Sequence, residues 1–416
     1  MAGKVSVLNV LLYGVPVGTL TRVDGDRTLF AFNDAYINDE NRPVLSLSFK
    51  NHLGHLTTEF SPVQTRVMPF FSNLLPEGRM RTYLAERAGV NPEREFFLLW
   101  VLGQDLPGAI TVEPADGDAW PQDVSETPEL LEQARENALR FSLAGVQLKF
   151  SAIEEAGKGL TIPAKGVGGS WIVKLPSREF HGVPENEFSM MTLARLVGID
   201  VPPVRLVAVD AIGNLPKGVE TLKGQALAIE RFDRLPDGAA VHIEDFAQVF
   251  QLYPDDKYRK ATAMNIATVI GAEGGEADIV EFVRRLTFNA LIGNADMHVK
   301  NWSLTYLDRR TASLAPAYDF VSTIPYIQDE AAALTVSRSK RFADFSEDEL
   351  AHMAARARLP EKLVLDAARE TAALFHEHWH AEKKNLPLTR AAVGAIEAHV
   401  KKVPIARAVE GARGVS

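Results

Sequence analysis

Apolar and polar positions alternate with a period of two along the first part of the chain, which predicts short β-strands. The apolar run Val5–Tyr13 leads into a Gly/Pro-rich turn at 14–18 and then into Thr19–Val23, a pattern typical of a β-hairpin. Two further strands and then two helices are expected at Thr28–Phe32, Val44–Phe49, Ser72–Ala88 and Glu93–Leu102. This part of the chain is therefore expected to be a small α+β unit without a catalytic constellation.

Beyond residue 135 the pattern passes from strands that carry isolated charges to long segments with helical spacing. Strands are expected at Ser170–Pro176, Val204–Val209 and Gln225–Ile229. The amphipathic segment Glu187–Leu196 predicts a helix between the first two of them. The apolar residues of Ile279–Leu291 share one helical face, and Gly293 is placed to end that helix. Ser303–Leu307 and Ala312–Ala315 then predict a hairpin.

The segment 111–132 separates these two parts. All of its charged residues are acidic, and Pro and Gly residues interrupt it, as is typical of a connector. We therefore divide the chain into an N-terminal α+β domain, 1–135, and a second domain, 136–416, whose C-terminal lobe is mostly helical.

Composition narrows the class of protein. A chain of 416 residues that is 46% hydrophobic can bury a large core. The absence of cysteine excludes disulfides and thiolate metal sites, and it favours a cytoplasmic location. The net charge of −9 argues against nucleic-acid binding by the surface as a whole. Because no run of eighteen apolar residues occurs, no interaction with a membrane is expected.

Polar residues at fixed spacing follow the helix that Gly293 ends. Asp296 and Asn301 have four residues between them, the spacing of a phosphoryl-transfer loop in which Asp orients the attacking hydroxyl and Asn holds a metal. Asp319 follows in the right order for a second metal ligand. His298 makes the loop D-x-H-x-x-N, which resembles aminoglycoside phosphotransferases and lipid kinases more than H-R-D protein kinases. We expect His298 to hold the loop by packing and hydrogen bonding rather than to transfer a proton.

A phosphate-binding half precedes this loop. Lys174 lies on a β-branched and aromatic strand that resembles the kinase V-A-I-K strand, and Glu187 opens a helix thirteen residues later. Kinases use such a Lys–Glu ion pair to fix the lysine. Each residue alone also fits a structural role, as an exposed strand lysine or as an acid favoured by the helix dipole. The segment 230–234 comes where a kinase hinge would meet adenine, and the order of all these features is that of a kinase.

Six segments, taken together, resemble the HipA family. They are Ser142–Lys149, Trp171–Pro176, Glu185–Glu187, Ala228–Asp233, Ile292–Ser303 and Tyr318–Phe320. The N-terminal strands and Phe70–Gly78 also resemble the N-terminal domain of that family. HipA proteins are the serine/threonine-kinase toxins of bacterial type II toxin–antitoxin pairs. The resemblance implies an α+β, two-lobed protein-kinase-like fold with a small strand-rich N-terminal domain and a mostly helical C-terminal lobe.

The resemblance also implies roles for individual residues. Asp296 matches the catalytic base, and Asn301 and Asp319 match ligands of Mg²⁺. Ser142 matches an autophosphorylation site whose modification expels the phosphate-binding loop and inactivates the enzyme. The residues expected to contact ATP are Lys174, Ala144, Gly145, Val146, Gln147, Lys149, Glu230, Phe232, His298 and Lys300.

The partners implied by the resemblance are a HipB-like helix-turn-helix antitoxin and a protein of the translation apparatus, such as an aminoacyl-tRNA synthetase. The resemblance also implies that phosphorylation of that protein would arrest growth and underlie persistence. DNA would be reached only indirectly, through the antitoxin.

Two alternatives stay open on the sequence alone. A degenerate kinase fold could act only as a co-repressor bound to a DNA-binding antitoxin. Separately, His376 and His380 with Glu377 form an H-E-x-x-H pattern, which on a helix could bind zinc as in a metalloprotease. The simpler explanation of that pattern is a His-rich polar face on the terminal amphipathic helix 364–383.

Overall fold

The first sheet of the protein is built from the N-terminal strands. In the computed structural model the described residues are 6–87, 90–115, 148–155, 159–163, 168–177, 179–215, 219 and 222–413. The strands of this sheet are β1 (Ser6–Leu12), β2 (Val15–Val23), β3 (Arg27–Phe32), β4 (Val63–Gln64) and β5 (Ile110–Pro114), in the order β4-β3-β2-β1-β5. The expected hairpin is confirmed, because β1 and β2 pair antiparallel from Ser6 opposite Arg22 to Leu12 opposite Val15.

The helices of this part are short, and two expectations for it are wrong. They are α1 (Asp34–Asn38), α2 (Pro69–Ser72), α3 (Gly78–Arg87) and α4 (Glu95–Leu102). The expected strand 44–49 is a single 3₁₀ turn at its end, since the Ser46 side chain accepts from the amide of Ser48 and Glu244 accepts from that of Leu47. The expected helix 72–88 is interrupted at 73–77, where Pro76 disfavours a helical conformation in the residue before it.

A second sheet follows, with one helix inserted in its sequence. Its strands are β6 (Lys149–Glu155), β7 (Gly159–Thr161), β8 (Trp171–Lys174), β9 (Val204–Ala208) and β10 (Gln225–Glu230), in the order β7-β6-β8-β10-β9. The inserted helix is α5 (Val183–Leu196), which begins four residues before the expected start because Pro184 fits its first turn.

The remaining chain is mostly helical around one small sheet. The helices are α6 (Phe246–Val249), α7 (Ala263–Glu273), α8 (Glu276–Ile292), α9 (Glu347–Ala357), α10 (Glu361–Glu382), α11 (Arg390–Val400) and α12 (Pro404–Arg413). The sheet has the order β11 (His242–Asp245), β12 (Ser303–Tyr306) and β13 (Ser313–Leu314), so the expected hairpin after Asn301 is confirmed. In the described parts of the chain, every helix is too short or too polar to cross a membrane.

Two apolar cores organise these layers. One core joins the first and second sheets, with Leu8 and Phe71 from the N-terminal part and Phe150 and Val173 from the second sheet. The other fills the helical lobe around α8 and α10. The α+β class and the helical C-terminal lobe are confirmed. The domain division at residue 135 stays a prediction, because 116–147 lie outside the described residues.

A buried acid fastens the N-terminal part to the third sheet. Glu244 on β11 is fully buried and accepts hydrogen bonds from the hydroxyls of Ser46 and Tyr306 and from the Leu47 amide, 2.9 Å away. Burial raises the pKa of Glu244 to about 7, although the hydrogen bonds from Ser46 and Tyr306 favour its charged form. This group therefore takes up a proton in the folded state at a pH where the unfolded chain would be ionised.

We expect the contribution of Glu244 to stability to fall as the pH rises from about 4.5 to about 7, the interval between its ordinary and folded pKa values. In Glu244→Gln this loss is absent. The free energy of unfolding of the variant should therefore gain on that of the wild type by on the order of 2 kcal/mol between pH 5 and pH 8. Urea unfolding at several pH values measures the difference, and a difference that does not change with pH would contradict the expectation.

Candidate active site

The end of α8 sets the course of the loop that carries Asp296. Gly293 ends the helix with φ of +64°, and a Cβ atom there would collide with Ile324, so the position needs glycine. The next residue, Asn294, is almost completely buried. Its side-chain oxygen accepts from the amide of Asp296 at 3.0 Å, and its side-chain nitrogen donates to the carbonyl of Asp319 at 3.3 Å. The side-chain amide of Asn294 thus fixes the backbone positions of both Asp296 and Asp319.

Asp296 lies where hydrogen bonds from two directions hold it. The hydroxyl of Tyr258 donates to its Oδ1 at 2.6 Å, and the side-chain nitrogen of Asn301 donates to its backbone carbonyl at 3.0 Å. Burial raises the pKa of Asp296, and the hydrogen bond from Tyr258 opposes that rise. The hydroxyl of Tyr258 therefore donates to this carboxylate in the same way as the hydroxyl of a substrate that receives phosphate would.

Lys174 joins two acids on different elements. Its ammonium lies 2.6 Å from Oε1 of Glu187 on α5 and also contacts Oδ1 of Asp319. Burial lowers the pKa of Lys174, but the charges of Asp319 and Glu187 outweigh that effect and raise it. Burial likewise raises the pKa of Asp319, yet the charges of Lys174 and Lys149 lower it to about 2. Lysine and acid therefore stay charged across the physiological pH range.

Lys149 is the second cation of this cluster. It lies directly opposite Lys174 in the antiparallel pairing of β6 with β8. Burial lowers the pKa of Lys149, the charge of Asp319 raises it, and the neighbouring charge of Lys174 lowers it. The net result is a pKa of about 8. Two lysines side by side on adjacent strands make a site that a polyanion would stabilise.

Asp319 and Asn301 are the residues that could hold a metal. Asp319 has φ of +58°, a left-handed conformation that Asp tolerates better than most side chains and that occurs often at functional sites. Asn301 uses its amide nitrogen to bond Asp296, so its amide oxygen is the atom left to act as a ligand. A carboxylate and an amide oxygen lining one cavity fit the oxygen ligands that Mg²⁺ prefers.

These residues share one cavity of about 880 Å³ between the second sheet and the helical lobe. Its apolar side includes Ile172, Ile229 and Phe232, and the ring of Phe232 stacks on that of Tyr318 at 5.9 Å. Glu230, at the end of β10, also lines it. The cavity therefore has an apolar end beside the chain segment 230–234 and a charged end at Lys174 and the acids.

Two residues expected to contact ATP line this cavity but have protein partners. His298 is buried against the ring of Tyr258, and burial lowers the pKa of His298 to about 3, so it stays neutral. The ammonium of Lys300 lies 3.0 Å from Oε1 of Glu77 and 3.0 Å from both oxygens of Asn73. Both Glu77 and Asn73 belong to the N-terminal part.

The other expected site residues fall into two groups. Ser142, Ala144, Gly145, Val146 and Gln147 lie outside the described residues, so their roles stay predictions. Nε2 of His376 donates a hydrogen bond to the carbonyl of Ala406, 3.2 Å away, while His380 is exposed on α10. Within the described ranges, no three His, Asp or Glu side chains come together as a metal site, so nothing supports zinc at His376 and His380.

Sequence reasoning missed four residues of the site. Asn294 directly follows the glycine that ends α8, and Lys257 and Tyr258 lie in a turn after a 3₁₀ segment where no spacing marks them. Glu77 lies within Phe70–Gly78, which the sequence marked only as a resemblance. Lys257, Tyr258 and Glu77 reach the site through contacts between segments far apart in the chain, and Asn294 contacts Asp319, 25 residues away, as well as Asp296. Periodicity and local motifs carry no signal for such contacts.

Replacing Lys174 with Met removes the cation that forms an ion pair with the buried carboxylate of Glu187. We expect the free energy of unfolding to fall by about 3 kcal/mol, because a buried charge that loses its partner keeps its desolvation cost. Adding Glu187→Met to the same chain should recover part of the loss, which urea unfolding of both variants measures. The exposed pair Arg205–Glu154 on the same sheet is the control, and Arg205→Met should cost less than about 1 kcal/mol. Additive losses in the double variant would contradict the expectation.

Comparison with known proteins identifies the family. A model of the HipA N-terminal domain matches residues 8–113, and a model of the HipA-like C-terminal domain matches residues 141–379. The Sinorhizobium fredii protein Y4dM is 60% identical over 407 residues, which cover 97% of this chain and 98% of that protein. The serine/threonine-protein kinase toxin HipA of Shewanella oneidensis is 27% identical over 297 residues, covering 63% of this chain and 64% of the toxin.

A solved complex of Shewanella oneidensis HipA, HipB and operator DNA contains a chain with the same fold. It superposes with a TM-score of 0.71 at 22% identity and covers 97% of this chain and 96% of that chain. The expected two-lobed, HipA-type fold is therefore confirmed. Since the C-terminal family model spans more than half of the residues and Y4dM matches nearly the whole length, this chain belongs to the HipA family.

Proposed function

We propose that this protein is an ATP- and Mg²⁺-dependent serine/threonine-protein kinase that acts as the toxin of a HipA/HipB-like pair. The observation that carries the proposal is a single cavity in which Lys174, paired with Glu187 and Asp319, faces the loop of Asp296 and Asn301. Those groups are the ones that phosphoryl transfer needs, in the order in which kinases carry them.

In the proposed reaction the nucleotide spans the cavity. Its base lies at the apolar end beside Glu230 and Phe232, and its phosphates lie at Lys174 and Lys149, whose charges offset theirs. Asp296 accepts the proton of a Ser or Thr hydroxyl while that oxygen bonds to the γ-phosphorus and the bond to the ADP oxygen breaks. Mg²⁺ supplies further positive charge when bound, and Asn301 and Asp319 are the residues that would hold it.

The partners follow from the family. The Shewanella oneidensis HipA toxin has been solved with HipB and operator DNA. We propose a HipB-like helix-turn-helix antitoxin for this chain, with DNA reached only through it. The protein substrate is proposed to belong to the translation apparatus, as the resemblance to HipA implies, with an aminoacyl-tRNA synthetase as the first to test. The whole set of Lys174, Asp296, Asn301 and Asp319 favours an enzyme over a co-repressor without activity.

Asp296→Asn tests the proposed base. We expect transfer of phosphate from ATP to fall by about 10²–10³-fold, because the amide keeps the shape of the side chain but cannot accept the proton. Incorporation of radiolabelled phosphate by the purified protein and growth arrest after induction are the measurements. Asp308→Asn, in the exposed turn between β12 and β13, is the matched control and should keep wild-type activity. Equal activity and toxicity in Asp296→Asn and wild type would refute the assignment.

Ser142→Ala tests the proposed autophosphorylation. The wild type should carry label on a peptide that contains Ser142, and the variant should lose that label while it keeps activity on an added protein substrate. Phosphopeptide mapping by mass spectrometry after incubation with ATP is the measurement. If the variant incorporates as much label as the wild type, Ser142 is not the site of autophosphorylation.

A further inference from the structure

Glu77 is an acid of the N-terminal part that ends inside the cavity of the catalytic lobe. It comes directly before α3, in the segment 73–77 that separates α2 from α3, and its side chain is almost entirely buried. Its Oε2 lies 2.7 Å from the ammonium of Lys257, and its Oε1 lies 3.0 Å from that of Lys300. Burial raises the pKa of Glu77, but the charges of Lys300 and Lys257 outweigh this and lower it to about 2.

One of the two lysines lies within the catalytic loop, and the other lies in the neighbouring turn that contacts it. Lys300 directly precedes Asn301, the proposed metal ligand. Lys257 directly precedes Tyr258, whose hydroxyl donates to Asp296 at 2.6 Å. The backbone of Lys257 also approaches the loop, since its carbonyl accepts from the amide of Val299 at 3.5 Å. One carboxylate therefore holds both segments that position the base and the metal ligand.

Without the carboxylate of Glu77, the mostly buried ammonium groups of Lys257 and Lys300 would lie close together with less negative charge to compensate them. Each side chain is only about a tenth exposed, and Asp245 is 3.5 Å from Lys300 but makes no ion pair with Lys257 among the described residues. The uncompensated cations would repel each other and move toward other anions in the cavity, of which Asp296 is one. The geometry of the loop would change with them.

We propose that Glu77 is a positioning residue of the phosphotransfer site, through which the N-terminal domain holds Lys257 and Lys300 and thereby the catalytic loop. The inference rests on the proposed function, since it assigns Glu77 to that same reaction. It also gives a role to the segment Phe70–Gly78, to which the catalytic chemistry alone assigns none. The kinase site is then complete only when the N-terminal domain is docked on the catalytic lobe.

The test compares Glu77→Gln with a buried acid of the same domain that has no contact with the loop lysines. Glu95 accepts from the Val67 amide at 3.0 Å and from Ser72 at 2.8 Å, and it pairs with Arg81 at 2.9 Å. Glu95→Gln therefore reports the cost of neutralising a buried acid in the N-terminal domain. Both variants are studied in the full chain, with folded fraction measured by thermal denaturation.

For Glu77→Gln we expect kcat to fall at least 10-fold while KM for ATP stays unchanged or falls, because the released lysines add positive charge to the cavity. For Glu95→Gln we expect kcat per folded molecule within 2-fold of the wild type. Glu77→Asp, which keeps the charge on a shorter side chain, should recover part of the activity. If Glu77→Gln loses no more activity than Glu95→Gln, the inference is wrong.

A second measurement does not depend on activity. Competitive acetylation of lysines, read by mass spectrometry, should modify Lys257 at least 5-fold faster in Glu77→Gln than in the wild type, and no faster in Glu95→Gln. An unchanged rate at Lys257 would overturn the inference even in an active enzyme. A wild type that labels Lys257 slowly but transfers no phosphate would instead refute the proposed function, and the assignment of Glu77 to that reaction with it.

Discussion

The ion pairs of Lys174 are the constraint on which the rest of the site depends. A buried ammonium is tolerated only when acids compensate it, and here Glu187 on α5 and Asp319 from the helical lobe do so. Because the two acids come from different layers, pairing fixes the second sheet, α5 and the lobe relative to one another. The cavity between them then has a defined charged end. Asp319 adopts a left-handed backbone conformation, and the ion pair that this conformation allows its carboxylate to make offsets the strain.

Buried charge also explains how the N-terminal part is attached. Asp105 pairs with Arg231 of the segment 230–234 at 3.1 Å, Glu77 pairs with Lys257 and Lys300, and Glu244 binds Ser46. Each contact joins the N-terminal part to a residue beyond 230. Charged and hydrogen-bonded contacts of this kind fix one register, because a displaced partner leaves a buried charge uncompensated. The shared apolar core also stabilises the contact between the two parts, but apolar packing is non-directional and fixes their relative position less strictly.

Whether a feature could be predicted from the sequence depends on how far apart in the chain the interacting residues are. The helix that ends at Gly293, the hairpin after Asn301 and the strand of Lys174 are governed by periodicity and by turn residues, so local pattern was enough. The segment 44–49 looked like a strand because its apolar residues alternate, but Ser46 and Glu244 take its backbone donors instead of a neighbouring strand. Glu244 is 198 residues from Ser46, and no local rule reaches that far.

The same reasoning separates the two halves of the candidate site. Asp296, Asn301 and Asp319 can be predicted as site residues from the sequence because their order and spacing are themselves the signal. Asn294 and Tyr258 both make hydrogen bonds with Asp296, yet a buried amide after a helix and a tyrosine in a turn are common in any fold. The role of Tyr258 arises only when tertiary packing brings the turn at 253–258 onto the loop, and that of Asn294 only when Asp319 packs against it. The residues proposed to carry the chemistry can thus be identified from the sequence, whereas the residues that position them can be identified only in the folded chain.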